Sequence, residues 1–225
     1  MHAPAFSAES AGNVRAVPDQ PTDRHADTRV PVHPDIAARW SPRAFDPDAV
    51  LTAGQLTALL EAARWAPTWG RRQPVRFVVG VRRAGAERPG DQPVGDDTFV
   101  ALAGLLKRGN RYATDAGALI LLCADEGEDE RTALYSGVDA GAAMANLAIE
   151  AVSRGLIAHP MAGFDADGAR AEFGIPTGVR PLMLIAVGSL ADYGGVAPEI
   201  AERDARPRHR LPLEEIVLNW SGTGL

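Results

Sequence analysis

A long alanine-rich segment from about Arg131 to Ser153 constrains the fold more than any other feature of this sequence. An amphipathic surface helix carries one apolar face, whereas a helix that is apolar over most of its circumference is buried. The segment is of the second kind, and we expect it to form a central helix. Gly155 follows at the position of a left-handed C-terminal cap. The apolar residues are spread around this helix: Val138, Ala142, Ala145, Leu147 and Ile149.

Short apolar strands and further helices surround the central segment in the sequence. Thr52 and Gln55 form a capping-box pattern that begins a helix, which ends near Ala66 because Pro67 disfavours helical geometry in the preceding residue. Strands and helices do not alternate regularly, which favours an α+β fold over a doubly wound sheet. Residues 82–97 are expected to form a surface loop and residues 156–164 a connecting loop. The other predicted elements are helices over 98–107 and 167–173 and strands over 75–81, 118–123 and 182–187.

Composition excludes several classes of protein. The chain has 225 residues and a net charge of -6, which argues against a general nucleic-acid binder. Cys123 is the only cysteine, so an internal disulfide and a cysteine-based zinc cluster are excluded, and the histidine spacing predicts no metal site. The longest apolar stretch is far shorter than the ~20 residues of a membrane helix. No signal-peptide pattern is present, and we expect a cytoplasmic protein with no membrane contact.

The domain organisation is predicted to be simple. Residues 1–33 mix Ala, Pro, Asp, Arg and His without a hydrophobic period, which is typical of a flexible leader. An apolar rhythm begins near Pro34. We therefore expect one domain over residues 34–225, because the length fits a single large domain or two small ones and no internal boundary is evident.

Two arginine-rich clusters lie near opposite ends of the expected domain. One contains Arg39 and Arg43 beside the Ser41 hydroxyl, and the other contains Arg208 and Arg210. Guanidinium groups bind phosphate oxygens in a bidentate manner, so the clusters are candidates for an anion site. Solvated surface charge is the alternative interpretation of both.

A third candidate region is the segment from Pro67 to Pro74, which joins a helix to a strand and offers backbone amides, guanidinium groups and an amide side chain. Loops of this kind often carry function, although a simple connecting turn is an equal alternative. The sequence contains none of the common hydrolase, metalloprotease, phosphate-loop or dinucleotide-binding motifs. If the protein is an enzyme, a bound cofactor is therefore expected to carry the chemistry.

Four separated segments resemble the nitroreductase family of FMN-dependent oxidoreductases, in the family's order. They are Arg39–Asp46 (RWSPRAFD), Ala63–Phe77, Asp139–Asp165 and Arg206–Val217. The resemblance implies a nitroreductase-like α+β fold with a central, mostly antiparallel sheet flanked by helices. It also implies an intertwined homodimer with FMN at the interface, the 131–153 helix in the dimer core and a C-terminal tail that wraps the partner subunit.

The resemblance further implies where the ligands bind. The phosphate of FMN would lie in the two arginine clusters, and residues of the 67–74 loop would contact the flavin from the other subunit. The backbone of a later loop would approach the reactive N5 atom. The implied cofactor-binding residues are Arg39, Trp40, Ser41, Arg43, Pro67, Thr68, Arg71, Gln73, Pro160, Met161, Ala162, Gly163, Arg208 and Arg210. The implied walls of the substrate pocket are Trp69, Tyr112 and Phe164.

The sequence departs from the family pattern at three positions between Pro67 and Val75. Arg71 stands where the family has Asn, and Val75 where it has Trp. Trp69 replaces a small residue. Arg71 would either donate to the flavin edge or point away from it, with weaker ring binding in the second case.

The implied reaction is hydride transfer from NAD(P)H through flavin N5 to a nitroaromatic, a quinone or a similar acceptor. Proximity and orientation would supply most of the catalysis, so no catalytic side chain is required. Three alternatives remain open at this point. The protein would be a specialised oxidase or dehalogenase of the same fold, a protein that sequesters FMN without turnover, or a dimer without flavin.

Overall fold

One antiparallel sheet lies in the middle of the molecule. The computed structural model describes residues 24–83 and 94–221. Within these ranges every strand pair is antiparallel, and the strand order is β1-β2-β4-β3. This confirms the predicted α+β fold with a mostly antiparallel sheet. The strands are β1 (Val75–Val81), β2 (Ala118–Asp125), β3 (Ile157–Met161) and β4 (Val179–Gly188).

Helices cover both faces of this sheet. The α-helices in the described ranges are α1 (Pro34–Ala38), α2 (Ala53–Arg64), α3 (Asp97–Gly104), α4 (Glu130–Ser153), α5 (Ala166–Glu172), α6 (Pro198–Ala205) and α7 (Leu213–Ile216). Two 3₁₀ helices, Arg108–Asp115 and Tyr193–Gly195, join some of them. None of the helices in the described ranges combines the length and apolarity needed to cross a bilayer.

Strand β2 is buried on both faces, as its continuous apolar run predicts. Leu119 and Leu121 face one core cluster, which also contains Phe99 of α3. Ile120 and Leu122 face the other core cluster, which lies between the sheet, α2 and α4. Successive side chains of a strand point to opposite faces, so this one strand supports both layers of the core.

Helix α4 is the longest helix in the described ranges, and its predicted bounds are correct to within one residue. The Asp129 side chain caps its first turn by accepting from the backbone N of Thr132, and Gly155 follows its end with φ of +68°. One side of the helix packs on the sheet and α2. On its other side, Leu134 is 66% exposed and Val138 is 60% exposed in the single chain. The central position predicted for α4 therefore holds for only one of its faces within a single chain.

The capping box at the start of α2 is confirmed. Gln55 N donates to Thr52 Oγ1 at 3.1 Å, and Thr52 N donates to Gln55 Oε1 at 2.9 Å. The helix ends at Arg64, slightly before the predicted end near Ala66. Both the start and the end are set by residues within one helical turn, which explains why they are readable from the sequence.

Two elements were missed by the sequence interpretation. Strand β3 lies within residues 156–164, which were expected to form a loop. Pro160 is tolerated there because β3 is an edge strand of the sheet, where a missing N–H need not break a ladder. Helix α6 was not predicted from the sequence, and it begins with Pro198, a residue well suited to the first helical position.

The predicted leader is described only from Arg24 onward, and residues 1–23 lie outside the described part of the chain. Residues 24–33 contain no helix or strand, but Ala26 N donates to Ala37 O at 2.9 Å. Helix α1 begins at Pro34, where the domain was expected to start. Residues 84–93 of the predicted surface loop also lie outside the described ranges.

Candidate functional site

Arginine side chains from the two distant clusters meet around one cavity of about 260 Å³. The segment before α2 supplies one wall, and α6 with the residues that follow it supplies the other. The structure thus brings together all five residues predicted to bind the phosphate, namely Arg39, Ser41, Arg43, Arg208 and Arg210. The lining residues are Arg24, Arg39, Trp40, Ser41, Arg43, Arg203, Asp204, Arg206, Pro207, Arg208 and Arg210. We call this the arginine-lined cavity.

A buried carboxylate organises one wall of this cavity. Asp204 is 2% exposed and accepts from Arg43 N at 2.7 Å, Ala44 N at 3.2 Å and Arg43 Nη1 at 3.1 Å. The Tyr193 hydroxyl donates to the same carboxylate at 2.9 Å, and burial together with Asp204 raises the pKa of Tyr193. Four donors therefore compensate the buried charge and fix the backbone at Arg43. The sequence interpretation missed Asp204, since a lone acid within an arginine-rich stretch has no distinguishing motif.

Seven arginines but only one carboxylate, Asp204, line the described cavity, so positive charge predominates there. Burial lowers the pKa of Arg39, and the neighbouring Arg210 lowers it further. Burial also lowers the pKa of Arg208, with added contributions from Arg39, Arg210 and Arg24. Among the residues that the structure describes, the Nε atoms of Arg24 and Arg43 are buried without a hydrogen-bond partner. Guanidinium groups stay protonated, so this arrangement suits a bound anion with several acceptor oxygens, such as a phosphate.

Arg208 directs its terminal nitrogens to the protein backbone. Nη2 donates to Arg39 O at 3.0 Å, and Nη1 donates to Ala37 O at 3.2 Å and to Arg24 O. The side chain therefore joins the C-terminal wall of the cavity to the N-terminal one. Its predicted role in phosphate binding remains a prediction, and the hydrogen bonds show a clamp between the two walls.

Tyr112 and His159 do not line the arginine-lined cavity, but they hold the backbone at Pro42, between two residues that do. His159 Nδ1 lies 2.8 Å from Pro42 O, and His159 Nε2 lies 3.0 Å from the Tyr112 hydroxyl. Because a carbonyl only accepts, Nδ1 carries the proton and Nε2 accepts from Tyr112. Burial lowers the pKa of His159 and raises the pKa of Tyr112 to about 12, so both groups are neutral at pH 7. Pro42 is thereby held between the two cavity residues Ser41 and Arg43.

The 67–74 loop is fixed to the N-terminal half of α4. Trp69 N donates to Asp139 Oδ1 at 2.9 Å, and Asp139 is 4% exposed. The Trp69 ring stacks on Tyr135 with centroids 5.0 Å apart, and the Arg131 guanidinium lies 5.2 Å from the Trp69 centroid. Trp69, a predicted pocket wall, thus packs against α4 in the single chain.

Two other residues of this loop line a second cavity of about 280 Å³ between α2, β1 and α4. They are Thr68 and Gln73, and Asp139 lies at the same cavity. Pro67 and Arg71 are exposed and do not line it. The second cavity shares no lining residue with the arginine-lined cavity. Within one chain, the two predicted groups of cofactor-binding residues are therefore not brought together.

The remaining predicted residues lie at the end of β3 and just beyond it. Pro160 is half-buried, Met161 is buried and Ala162 is exposed. The Gly163 carbonyl accepts from Lys107 N at 3.1 Å and from the Asn110 side chain at 2.9 Å. Their predicted approach to a flavin remains a prediction.

Phe164, a predicted pocket wall, is buried in the core cluster that contains Phe99. Tyr112, the other predicted wall beside Trp69, packs against that cluster while its hydroxyl reaches His159. The two side chains therefore contribute to core packing and do not line the arginine-lined cavity. Their contact with a substrate remains a prediction.

The fold and the cavity together define an α+β protein with an arginine-lined cavity whose charge suits an anion. The model of the Nitroreductase family matches residues 36–189. The chain belongs to the Nitroreductase family, whose members are oxidoreductases.

Three individual proteins illustrate this relationship. The crystal structure of an oxidoreductase containing FMN is 29% identical with a TM-score of 0.76, covering 91% of this chain and 99% of that one. A Thermus thermophilus NADH dehydrogenase is 31% identical over 80% of this chain and 91% of its own length. An uncharacterised 15.4 kDa protein of Mycolicibacterium smegmatis is 62% identical over 64% of this chain and 94% of its own length.

Proposed function

We propose that the chain is an FMN-dependent NAD(P)H oxidoreductase that holds the cofactor phosphate in the arginine-lined cavity. The observation that carries the proposal is the excess of guanidinium groups over carboxylates in the cavity lining, together with the buried Nε atoms of Arg24 and Arg43, which have no hydrogen-bond partner among the described residues. A phosphate monoester carries close to two negative charges at neutral pH and three acceptor oxygens. The similar FMN-containing oxidoreductase, at 29% identity, supports the same ligand.

Individual side chains have distinct proposed roles. Arg39, Arg43 and Arg210 supply positive charge to the phosphate, and Ser41 adds a hydroxyl donor. Asp204 holds Arg43 in place through the ion pair of 3.1 Å. Bound FMN would supply the redox chemistry, taking hydride from NAD(P)H and passing it to a nitroaromatic, a quinone or a similar acceptor. The Thermus NADH dehydrogenase supports a nicotinamide donor.

A homodimer completes the proposed site. The 67–74 loop lines a cavity separate from the arginine-lined one, so Thr68, Arg71 and Gln73 would reach the flavin of a second copy. The uncovered face of α4 and the apolar tail offer surfaces for that copy. The exposed apolar residues there are Leu134, Val138, Leu211, Leu213, Ile216, Leu218 and Trp220.

The proposal also includes the domain organisation and the cellular location expected from the sequence. Residues 34–225 form one domain, with its C-terminal tail against the partner subunit and with residues 1–33 outside the catalytic scaffold apart from Arg24, which lines the cavity. Trp69, Tyr112 and Phe164 are proposed to shape the acceptor side of the site. We place the enzyme in the cytoplasm.

The first test is the visible spectrum of the purified protein before and after anaerobic addition of NADH and then NADPH. We expect a yellow protein that either nucleotide bleaches. A yellow protein that neither nucleotide bleaches would favour sequestration of FMN, to which the Arg71 and Trp69 departures point, or a specialised reaction with another electron source. A colourless protein that takes up no added FMN would contradict the proposal.

Site-directed variants then locate the phosphate. Replacing Arg39 and Arg210 together by Ala is expected to weaken FMN binding by roughly a hundredfold or more, because hydrogen bonds to charged groups contribute about 1.5–3 kcal/mol each. The matched control replaces Arg154 and Arg180, which pair with Glu150 and Glu126 on the surface, and should retain FMN. Unchanged FMN retention in the first variant would reject the assigned phosphate site.

A further inference from the structure

Arg24 lines the arginine-lined cavity although it lies outside all four recognised motifs and before the matched residues 36–189. Its guanidinium carbon lies 5.0 Å from the centroid of the Trp40 ring, a cation–π distance. Its Nη1 donates to Arg206 O at 2.7 Å. The side chain is thus placed between the two walls of the cavity by contacts to both.

The backbone around Arg24 is also held in place. Arg208 Nη1 donates to the Arg24 carbonyl, and Ala26 N donates to Ala37 O at 2.9 Å. Further along the same segment, Arg29 pairs with Glu214 of α7. These contacts fix the entry of the N-terminal segment beside the cavity, so Arg24 reaches it from an ordered backbone.

The donor groups of Arg24 and Arg208 are directed differently. Arg208 uses both terminal nitrogens on backbone carbonyls. Among the described residues, Arg24 Nη1 donates to Arg206 O, whereas Arg24 Nε is buried without a hydrogen-bond partner. A buried donor without an acceptor is costly, so a ligand oxygen at this position would relieve that cost. The charge of Arg24 also contributes to the lowered pKa of Arg208, which shows that the two guanidinium groups are close enough to repel each other.

We propose that Arg24 is a phosphate-binding residue of this protein, supplied by the N-terminal segment, and that Arg208 positions it. The ligand group is a phosphate monoester, because several converging guanidinium groups match an oxygen-rich dianion. The inference rests on the proposed FMN function. It adds to that function a binding residue which the sequence interpretation assigned to a flexible leader.

The test compares FMN with riboflavin, which has the same ring system and no phosphate. Flavin fluorescence quenching gives the dissociation constants of both for the flavin-free wild-type protein and for R24Q. We expect R24Q to weaken FMN binding about tenfold to a hundredfold, as removal of a charged hydrogen-bond donor does, while riboflavin binding changes less than about twofold. The matched control R154Q removes an exposed guanidinium outside the cavity, which pairs with Glu150 on α4, and it should leave both constants unchanged.

Three outcomes would overturn the assignment of Arg24 while the wild-type protein still binds FMN and the proposed function stands. R24Q would bind FMN as tightly as the wild type, it would lose FMN and riboflavin equally, or R154Q would weaken FMN binding as strongly as R24Q. If R24Q does not fold, R24K is the second variant. It keeps the positive charge but lacks the planar guanidinium group that donates two hydrogen bonds at once, and it must still weaken FMN binding more than riboflavin binding. A wild-type protein that binds neither flavin would instead contradict the proposed function itself.

Discussion

The arginine-lined cavity and the 67–74 loop each depend on one buried carboxylate, but the two carboxylates are compensated very differently. Asp204 accepts from two backbone amides, one guanidinium and one tyrosine hydroxyl. In the described part of the chain, Asp139 accepts a single hydrogen bond, from Trp69 N. A carboxylate with four donors holds its surroundings more firmly than one with a single donor. The cavity is therefore organised within one chain, and the loop is held less completely.

This difference agrees with the proposed assembly. The proposed phosphate site needs no second copy, since the residues predicted for it already line one cavity within a single chain. The 67–74 loop lies at a separate cavity between α2, β1 and α4. We therefore expect phosphate binding to depend on contacts within a subunit, and ring binding to depend on dimer formation.

The largest loss of stability is expected from removal of the Asp204 carboxylate. Asp204→Ala leaves the half-buried Arg43 guanidinium without its carboxylate and frees two backbone amides. Loss of one partner of a buried ion pair costs about 3–5 kcal/mol, and we expect the lower end because Arg43 is partly exposed. Urea unfolding measures the change. Glu202→Ala, an exposed residue of the same helix, should cost less than about 0.5 kcal/mol. Equal losses in the two variants would contradict the role of Asp204.

A smaller loss is expected at Asp139. Asp139→Ala leaves Trp69 N without its acceptor, which costs about 1–3 kcal/mol of unfolding free energy. The near-ultraviolet circular dichroism of the Trp69–Tyr135 stack should weaken at the same time, because the loop is no longer fixed to α4. Glu150→Ala, which removes a surface pair on the same helix, is the control and should cost about 0.3–0.5 kcal/mol. A loss equal to that of Asp204→Ala would remove the contrast between the two regions.

The smallest expected effect is pH-dependent and concerns His159, which faces Tyr112, Arg43, Arg203 and Asp204. Burial lowers its pKa in the folded protein below the usual 6.5, so the unfolded chain binds a proton first as the pH falls. The unfolding free energy should therefore decrease below about pH 6.5, by at most about 1.4 kcal/mol per pH unit.

Unfolding of the wild type and His159→Asn between pH 5 and 8 measures this effect. The variant keeps a donor for Pro42 O and should lose this part of the pH dependence, whereas the exposed control His209→Asn should keep it. Identical slopes for all three proteins would show that His159 does not couple folding to pH.

Local patterns explain what the sequence predicted correctly. The Thr52–Gln55 capping box and the apolar run of β2 are decided by neighbouring residues, and both were found. Strand β3 was missed because His159-Pro160 is typical of a loop, and only its place at the sheet edge permits a strand. Within the candidate site, the arginine clusters were predicted from residue type and family resemblance. The partner of Arg43 was not, because Asp204 is fixed by a contact across 161 positions.

That separation in sequence also bears on how the protein is made. Contacts between distant segments form after local ones, because closing a long loop costs chain entropy. Arg43 leaves the ribosome long before Asp204 does, and until α6 follows, the cavity lacks its C-terminal wall. Flavin capture through the phosphate would then be a late event in biogenesis. A nascent chain stalled before α6 would already carry the sheet yet fail to retain the cofactor, so bound flavin would distinguish finished molecules from incomplete ones.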